Sequence, residues 1–409
     1  MAKKVRFLSD AEIIVGSYEE FLLGYKICKT EDKKYSLSNS FANHSHQASV
    51  RCCASSSQFI ASGGADETIH LYNMNTRREH GSLVHQNGTI TYLGFYGQTH
   101  MFSASEDGSL CVWRVGSWEC TKVLKGHRGP ITSVSIHPSG KLALSVGRDR
   151  TLRTWNLVKG RSAYVTNLAP LKSEKAGMDI GAEEVRWSTL GSRYAVMYRT
   201  KVDVYDVSIA GIVYSLDFGG SRISCIYFAS DDILIAGGEG GVIEFHNPVE
   251  KKKILRWKAY SEDDRVRCIE CITVEGDENR TILVSSSSSG LVKLWKINLN
   301  KMGKEPECVG EVNASCRVTC LTVHVQDPGL KRKNNKKGQT EEIVKLEEDE
   351  EEKEEDKDED TCDEKSEEKL MKIQSEEEES SSVKKEKPSH RDKSVLQRKK
   401  LRKKKMKAN

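Results

Sequence analysis

Long apolar runs are missing from this 409-residue sequence. No segment approaches the ~20 consecutive apolar residues that a helix needs to cross a bilayer. The start, MAKKVRFLSDAEIIVG, also lacks the apolar stretch of a secretory signal. We therefore expect a protein that makes no contact with membranes and stays inside the cell. There the 12 cysteines should be thiols rather than disulfides.

Metal and phosphate signatures are missing as well. Cys268 and Cys271 have the spacing of a metal knuckle, but they lie in VRCIECITV, which is typical of a strand. Residues three apart on a strand face opposite sides, and no second ligand pair follows. Cys316 and Cys320 are interpreted in the same way. There is no GxxxxGK[ST] loop, and GGADET and GGEGG are typical of turns at strand ends. The sequence thus predicts no metal, no cofactor and no enzyme activity.

Apolar residues are scarce, at 37% of the chain, and charged residues make up 30%. They are unevenly distributed, because residues 331–409 hold 24 basic and 24 acidic side chains, whereas residues 1–330 hold most of the apolar ones. The composition predicts one folded domain over residues 1–330 and a disordered tail over residues 331–409. No helical period of useful length occurs before residue 330, so the folded domain should be all-β.

A spaced set of serine, aspartate and aromatic residues recurs in residues 1–330. In SGGADETIHLYNM, SASEDGSLCVWRV and SVGRDRTLRTWNL, an aspartate follows the serine by four residues and an aromatic follows the aspartate by six. The three sets are Ser62, Asp66 and Tyr72; Ser103, Asp107 and Trp113; and Ser145, Asp149 and Trp155. Weaker copies place the aromatic at Tyr25, Tyr205, Phe245 and Trp295, which makes seven units at intervals of 40–50 residues.

Each unit contains four short strand-like runs separated by turn residues. In the best-formed unit these are ITSVSIHP, KLALSVG, TLRTWNL and RSAYVTNL. A single four-stranded sheet cannot bury both of its faces, but sheets stacked radially cover one another and close a ring. The chain opens with a second-type strand, EIIVGS, and RVTCLTVHV at 317–325 matches a first-type strand. We therefore expect this last strand to complete the first sheet and close the ring.

This pattern resembles the WD40 β-propeller family over about residues 1–325, and its period suits that family's repeat of about 40–45 residues. The resemblance implies a seven-bladed WD40 β-propeller. The match is not complete. Gly126-His127 is the only complete Gly-His pair, and Tyr205-Asp206 is the only aromatic followed by the family's aspartate.

His127, Ser145 and Asp149 are also the residue types of a hydrolytic triad, which requires an accessible, activated serine. Ser145 lies in an apolar strand and the trio recurs in three units, which favours a structural role. In WD40 propellers such residues form a buried hydrogen-bonded chain with an aromatic residue, and the resemblance implies three of these tetrads here. They are His127, Ser145, Asp149 and Trp155; His85, Ser103, Asp107 and Trp113; and, as a partial match, His46, Ser62, Asp66 and Tyr72.

The tail is divided into blocks of charge. Residues 341–379 hold 22 acidic and 6 basic side chains, and residues 384–409 hold 13 basic and 2 acidic ones. Such blocks are typical of a solvated, solubilising tail. The basic run also suits nuclear or nucleolar import and nonspecific contact with RNA. The residues expected to carry this signal are Arg398, Lys399, Lys400, Arg402, Lys403, Lys404 and Lys405.

Three stretches narrow the resemblance. EIIVGSYEEFLLGYK, ADETIHLYNM and SIHPSGKLALSVGRDRTLRTWNLVKGRSA are similar to the p21-activated kinase-interacting members of the WD40 family. That resemblance implies a nucleolar, non-enzymatic scaffold that binds and negatively regulates a p21-activated kinase. It also implies a role in large ribosomal subunit assembly, with pre-ribosomal assembly factors as partners. The alternative is a signalling adaptor that inhibits the kinase and has no direct role in assembly.

Partner contacts are expected on loops at one rim of the ring, since loops carry function. Arg128, Arg148 and Arg150 lie in or beside such loops of the fourth unit. They are the residues predicted to meet an acidic partner. The alternative is that they are solvated surface arginines.

Overall fold

The fold is described from a computed structural model of the chain. It covers residues 3–30, 34–168, 171–172, 179–274, 281–299 and 301–326. The predicted tail, with its basic run from Arg398 to Lys405, lies outside the described residues. The domain boundary, the import signal and the RNA contact therefore remain predictions.

The strands are numbered in chain order. Strands β1–β8 are Lys3–Val5, Ala11–Ser17, Leu22–Lys29, Tyr35–Asn43, Val50–Ser55, Phe59–Gly64, Ile69–Asn73 and Arg78–Leu83. Strands β9–β16 are Ile90–Tyr96, His100–Ser105, Ser109–Arg114, Cys120–Lys125, Ile131–Ile136, Leu142–Gly147, Thr151–Asn156 and Arg161–Asn167. Strands β17–β24 are Leu171–Lys172, Asp179–Ile180, Glu184–Trp187, Arg193–Met197, Lys201–Asp206, Gly211–Asp217, Ile223–Ser230 and Ile233–Gly238. Strands β25–β31 are Val242–Asn247, Lys252–Lys258, Val266–Val274, Thr281–Ser287, Leu291–Ile297, Glu307–Asn313 and Val318–Val325, and short 3₁₀ turns occur at Leu8–Asp10 and Glu239–Gly241.

Seven four-stranded antiparallel sheets, the blades, are arranged in a ring. Blades 2 to 4 are β5–β8, β9–β12 and β13–β16; blades 5 to 7 are β19–β22, β23–β26 and β27–β30; and blade 1 combines β31 with β2–β4. The first strand of each blade is innermost and contacts the first strands of both neighbouring blades. The predicted all-β, seven-bladed propeller is thus confirmed. Among the described residues, no helix is long and apolar enough to cross a membrane.

Burial follows the position of a strand in its blade. Every residue of the second strands β6 and β24 is buried, whereas every residue of the outermost strand β16 is exposed. The neighbouring blades cover a second strand on both faces, so its residues are almost continuously apolar or small. Between blades 3 and 4, for example, Trp155 and Ala143 share a cluster with Phe102 and Leu110. The core therefore consists of layers between blades rather than one central cluster.

Every cysteine within the described ranges is a free thiol, as the sequence predicts. Cys268 and Cys271 both lie on β27. Cys271 is buried in the layer between blades 6 and 7, whereas Cys268 packs against the layer shared with blade 1. The two side chains face opposite sides of the sheet and cannot share one metal ion.

The ring is closed at two places. Strand β31 pairs antiparallel with β2, from Ala11 opposite Val325 to Ser17 opposite Val318, which confirms the predicted closure. The sequence does not predict the second closure, in which β1 pairs in parallel with β27 on the inner edge of blade 7. Three residues, KKV, are too few to show the alternation of a strand. Main-chain pairing therefore holds both ends of the ring.

A buried charged network ties the first closure to blade 2. Glu12 of β2 is 5% exposed and lies opposite His324 of β31. Its two carboxylate oxygens accept hydrogen bonds from Arg77 at 2.8 and 2.9 Å, and Ser40 donates a further one. Burial alone would raise the pKa of Glu12, but these hydrogen bonds hold it below its usual range. His324 Nδ1 in turn donates to the main-chain oxygen of Ser56 at 3.0 Å.

The stability of this closure should depend on pH below neutrality. Burial lowers the pKa of His324 to about 4, although Glu12 opposes the shift. Lys3 and Arg77 also disfavour the charged ring. An unperturbed histidine in the unfolded chain titrates near ~6.5, so the unfolded state takes up the proton first and stability falls as the pH drops from about 6.5 towards 4. We expect His324 to lower the free energy of unfolding by about 2 kcal/mol between roughly pH 7 and pH 5.

Urea denaturation of the wild type and of His324→Gln at both pH values measures this effect. The variant should lose less stability on acidification than the wild type. His44→Gln, which replaces an exposed histidine, should behave as the wild type does. Equal losses in all three proteins would contradict the role of His324.

Candidate functional site

Four polar side chains form a continuous hydrogen-bonded chain inside blade 4. Trp155 Nε1 lies 2.8 Å from Ser145 Oγ, and Ser145 Oγ lies 2.6 Å from His127 Nε2. His127 Nδ1 lies 3.0 Å from both carboxylate oxygens of Asp149. Asp149 also accepts the main-chain N–H of Arg128 at 2.9 Å. The structure thus brings together all members of this tetrad and joins the loop before β13 to the turn between β14 and β15.

The direction of these hydrogen bonds fixes the protonation of the imidazole. The indole N–H of Trp155 can only donate, so Ser145 Oγ accepts from it and donates its own proton to His127 Nε2. His127 Nδ1 then carries a proton and donates it to Asp149. Burial lowers the pKa of His127, although Asp149 opposes this, and the ring stays neutral. Because Ser145 is 0% exposed, this chain is a buried link and not a nucleophile in a cleft.

Blade 2 repeats three of these links, the third being the main-chain N–H of Gln47, which donates to Asp66 at 2.9 Å. His46 Nε2 lies 2.7 Å from Ser62 Oγ, and His46 Nδ1 lies 2.9 Å from Asp66 Oδ2. Tyr72 is buried at the aromatic position, and its hydroxyl lies near those of Ser45 and Ser62, but neither contact has the geometry of a hydrogen bond. A phenol hydroxyl projects along the ring axis, whereas an indole N–H points sideways. Tyr72 therefore packs in this blade but does not complete the polar chain.

The prediction that His85 belongs to the tetrad of blade 3 is wrong. His85 is exposed, and Gln86, which is 3% exposed, takes its place. Gln86 Oε1 accepts from Ser103 Oγ at 2.5 Å, and Gln86 Nε2 donates to Ser109 Oγ at 2.9 Å. Trp113 Nε1 donates to Ser103 Oγ at 2.8 Å. A glutamine amide offers a donor and an acceptor, as an imidazole does, so a pattern that requires histidine selects the residue one position too early.

Blade 7 builds the same link from a tyrosine. The Tyr260 hydroxyl lies 2.7 Å from Ser285 Oγ, which accepts a hydrogen bond from Trp295 Nε1 at 2.9 Å. Ser285 is 0% exposed. The hydrogen bond to the second-strand serine is therefore retained in these four blades, while the residue that forms it is histidine, glutamine or tyrosine.

Asp149→Ala should lower stability by about 1–3 kcal/mol, because it removes the carboxylate that accepts from His127 and leaves that buried N–H only the longer contact to Thr151 Oγ1, at 3.3 Å. Asp107→Ala is a matched control in the equivalent turn of blade 3. Asp107 accepts main-chain N–H groups of Asn87 and Ser109, at 3.0 and 2.7 Å, but contacts no histidine. Urea denaturation at pH ~7 should show the larger loss for Asp149→Ala. Equal losses would mean that the buried histidine link contributes nothing.

A cavity of about 930 Å³ lies on the axis of the ring. All seven blades and β1 contribute to its lining, which is rich in charged side chains. The eight basic residues are Lys3, Arg51, Arg148, Arg150, Arg186, Arg199, Arg222 and Arg267, and the four acidic ones are Glu106, Glu183, Glu184 and Glu270. The lining of this axial cavity therefore carries more positive than negative side chains.

Six of these arginines lie at one end of the ring. Three stand at or just before the start of a first strand, and three lie in turns between second and third strands. Both places belong to the same end, because successive strands of a blade are antiparallel. We call this set the arginine mouth; it consists of Arg51, Arg148, Arg150, Arg199, Arg222 and Arg267.

Only part of this charge is compensated. Arg222 pairs with Glu183 at 3.1 Å, and two basic groups further inside the cavity are also paired with glutamates. Arg51, Arg148 and Arg199 are exposed and form no ion pair with other described residues. Guanidinium groups that converge on a concave surface raise the local positive potential and suit carboxylate or phosphate groups. The mouth is the candidate site for an acidic partner.

Two of the three arginines singled out in the sequence, Arg148 and Arg150, belong to the mouth. Arg128 is exposed at the same end of blade 4, in the loop before β13, but does not line the cavity. The other members come from separate blades and were not predicted from the sequence. Alignment of the seven repeats could have identified two of these arginines, because SVRC (49–52) and RVRC (265–268) both place an arginine at the beginning of a first strand. Whether these residues contact a partner remains a prediction.

Comparison with known proteins gives one consistent result. The profile of the family "WD domain, G-beta repeat" matches residues 36–73 and 118–156. The chain is 41% identical over 312 residues to a p21-activated protein kinase-interacting protein 1-like of Danio rerio, which covers 76% of this chain and 80% of the relative. It is 35% identical to human p21-activated protein kinase-interacting protein 1 over 317 residues, 76% of each chain. Protein MAK11 of Saccharomyces cerevisiae is 28% identical over 377 residues, with 82% and 87% covered.

Proposed function

Since the chain belongs to the p21-activated protein kinase-interacting family of WD40 proteins, we propose that it is a non-enzymatic scaffold of the nucleolus. It acts in large ribosomal subunit assembly, where it binds pre-ribosomal assembly factors. It also binds a p21-activated kinase and restrains it. The observation that carries this proposal is the similarity to kinase-interacting relatives along most of the propeller.

The geometry of the ring supports a scaffold that binds acidic segments of other proteins. Arg51, Arg148 and Arg199 present uncompensated guanidinium groups at one end of the ring. Charge-assisted hydrogen bonds from such groups to carboxylates or phosphates are among the stronger polar contacts. Asp149 stands between Arg148 and Arg150, so the blade-4 tetrad fixes the turn that carries both arginines. The buried link thereby acts on binding indirectly, by holding a surface turn in one geometry.

The two parts of the proposal have different support. The names of the zebrafish and human relatives state interaction with a p21-activated kinase, which supports the kinase as a partner. The basic run in residues 384–409 supports the nucleolar location, and the assembly role rests on the family resemblance of the three stretches quoted above. A kinase adaptor without an assembly role needs the propeller but not the basic run. Removal of residues 384–409 should move a tagged protein out of the nucleolus, and unchanged staining would contradict the import role.

Affinity purification from nuclear extract distinguishes these roles. The full-length wild type should recover large-subunit precursor particles together with the kinase. Recovery of the kinase without precursor particles would favour the adaptor. Recovery of neither would refute both roles.

The same experiment tests the arginine mouth. A variant that combines Arg51→Glu, Arg148→Glu and Arg199→Glu should recover about tenfold less, or lower still, of the kinase and of the precursor particles. The binding that remains should depend less on salt concentration. The matched control reverses the charge of three exposed arginines at the opposite end of the ring: Arg78→Glu, Arg114→Glu and Arg161→Glu. The control should bind as the wild type does. Equal losses in the two variants would show that the mouth is not the binding surface.

A further inference from the structure

Three equivalent positions converge beside the tetrad of a blade. The first is the residue just before the tetrad position that histidine usually occupies. The second lies two residues before the aromatic residue of the third strand, and the third lies seven residues after that aromatic residue. In blade 2, Glu79 at the third position accepts from Ser45 at 2.7 Å and lies 2.7 Å from His70 Nδ1. In blade 4, Gly126 at the first position lies directly against Arg153 at the second. The repeat thus creates one place where three side chains meet, and each blade fills it with different chemistry.

In blade 3 these positions hold His85, Cys111 and Cys120. Because Gln86 occupies the tetrad, the ring of His85 lies outside it and packs edge-on against Trp113, with a centroid distance of 5.6 Å. One ring nitrogen of His85 and the two sulfur atoms lie within 4.8 Å of one another. We propose that His85, Cys111 and Cys120 bind one zinc ion.

Distances and ligand types both suit zinc. Zinc binds cysteine sulfur at about 2.3 Å and histidine nitrogen at about 2.0–2.1 Å, so two ligands of one ion are at most about 4.6 Å apart and roughly 3.3–3.8 Å apart in a tetrahedral site. Because the three atoms lie within 4.8 Å of one another, they need to approach by at most roughly 1–1.5 Å to reach that geometry. Both sulfurs are free thiols. Thiolate and imidazole ligands favour zinc, whereas magnesium and calcium require oxygen ligands.

The surroundings leave a route for the ion. Cys111 is 0% exposed, in the layer between blades 2 and 3, whereas Cys120 is half-buried and His85 is exposed. Zinc can enter from the side of His85 and keep a water molecule as its fourth ligand. The three protein ligands come from the loop before β9, from β11 and from β12. Bound zinc would fix this loop on blade 3 and stabilise the folded chain, because the unfolded chain has no preformed site.

The test uses the full chain, reduced and freed of metal with a chelator. Zinc is titrated against a chromophoric competitor. Cobalt(II) serves as a second probe, because thiolate ligands give a near-ultraviolet charge-transfer band whose intensity reports their number. We expect one zinc ion per chain, a cobalt band of two thiolates and a higher unfolding temperature with zinc.

Variants of single ligands separate a site from chance proximity. Cys120→Ser and His85→Ala should each weaken zinc binding by about 10–100-fold or more. Cys120→Ser should also halve the cobalt band, whereas His85→Ala should leave its thiolate part in place. Cys28→Ser and His44→Ala change exposed residues elsewhere and should bind as the wild type does. His85→Ala changes an exposed side chain, and thermal unfolding in chelator verifies that its fold is intact.

Three outcomes would overturn the proposal. The first is that the wild type binds zinc no more tightly than a variant in which all three ligands are replaced. That variant measures the background binding by the acidic residues 341–379. The second is a cobalt band that is unchanged in Cys120→Ser. The third is mass spectrometry of rapidly alkylated protein that finds Cys111 and Cys120 joined in a disulfide.

Discussion

Deleting residues 312–330 should abolish cooperative folding of the propeller. The deletion removes β31, the inner strand of blade 1, and with it the main-chain pairing to β2. It also removes the buried side chains of Val318, Leu321 and Val323, each of which contributes about 1.5–3 kcal/mol. Their sum is comparable with the ~5–15 kcal/mol of net stability of an ordinary domain. Strand β2 would become an open edge that pairs with other chains.

Circular dichroism during heating and size-exclusion chromatography measure this result. The deletion protein should aggregate and show no sharp transition. The matched control ends at residue 330 and keeps β31, so it should melt as the full-length protein does, which also tests the predicted domain boundary. A monomeric deletion protein with a cooperative transition would contradict closure by β31.

Arg77→Ala should destabilise the propeller by about 3–5 kcal/mol, because it leaves the buried carboxylate of Glu12 without its cation. Ser40 is then the remaining hydrogen-bond donor to this carboxylate. The facing His324 is neutral at pH ~7, because burial lowers its pKa to about 4. Arg77 has a φ of 54°. Alanine meets the same backbone strain as arginine there, so the measured loss reports the ion pair.

Urea denaturation at pH ~7 measures this loss. Arg78→Ala, which truncates the exposed neighbour in the same turn, should change stability little. Adding Glu12→Gln to Arg77→Ala should restore part of the loss, because a neutral amide is less costly to bury than an unpaired charge. If Arg77→Ala and Arg78→Ala cost the same, the network around Glu12 does not lock the closure.

Most of the fold could be predicted because the repeat places equivalent residues at equivalent positions. Trp155 and its counterparts mark the third strand of each blade, and the unmatched last strand at 317–325 indicates how the ring closes. The tetrad of blade 4 could be predicted because its residue types and spacing resemble those of WD40 repeats. Sequence order does not show which neighbouring side chain turns inward, and in blade 3 Gln86 rather than His85 does so.

Features that depend on contacts between separate strands or blades were not predicted. The arginine mouth draws Arg51, Arg199 and Arg267 from three blades, and its members meet only once the ring is closed. The proposed zinc ligands are separated by 26 and 9 residues, a spacing that matches no metal motif. Strand β1 was missed because three residues carry no periodic signal. The repeat marks Arg51 and Arg267 as equivalent positions, but only the tertiary contacts show that they meet.

Blade 1 is the first to be synthesised and the last to be completed. Thr319 donates a hydrogen bond to the main-chain oxygen of Gly16 across 303 residues of sequence. At a translation rate of about 5–20 residues per second, β2 waits roughly 15–60 s for β31 to be made. During that time Ile13, Ile14 and Val15 have no inner strand beside them. The nascent chain must therefore keep this apolar edge from other chains until residue 325 has left the ribosome.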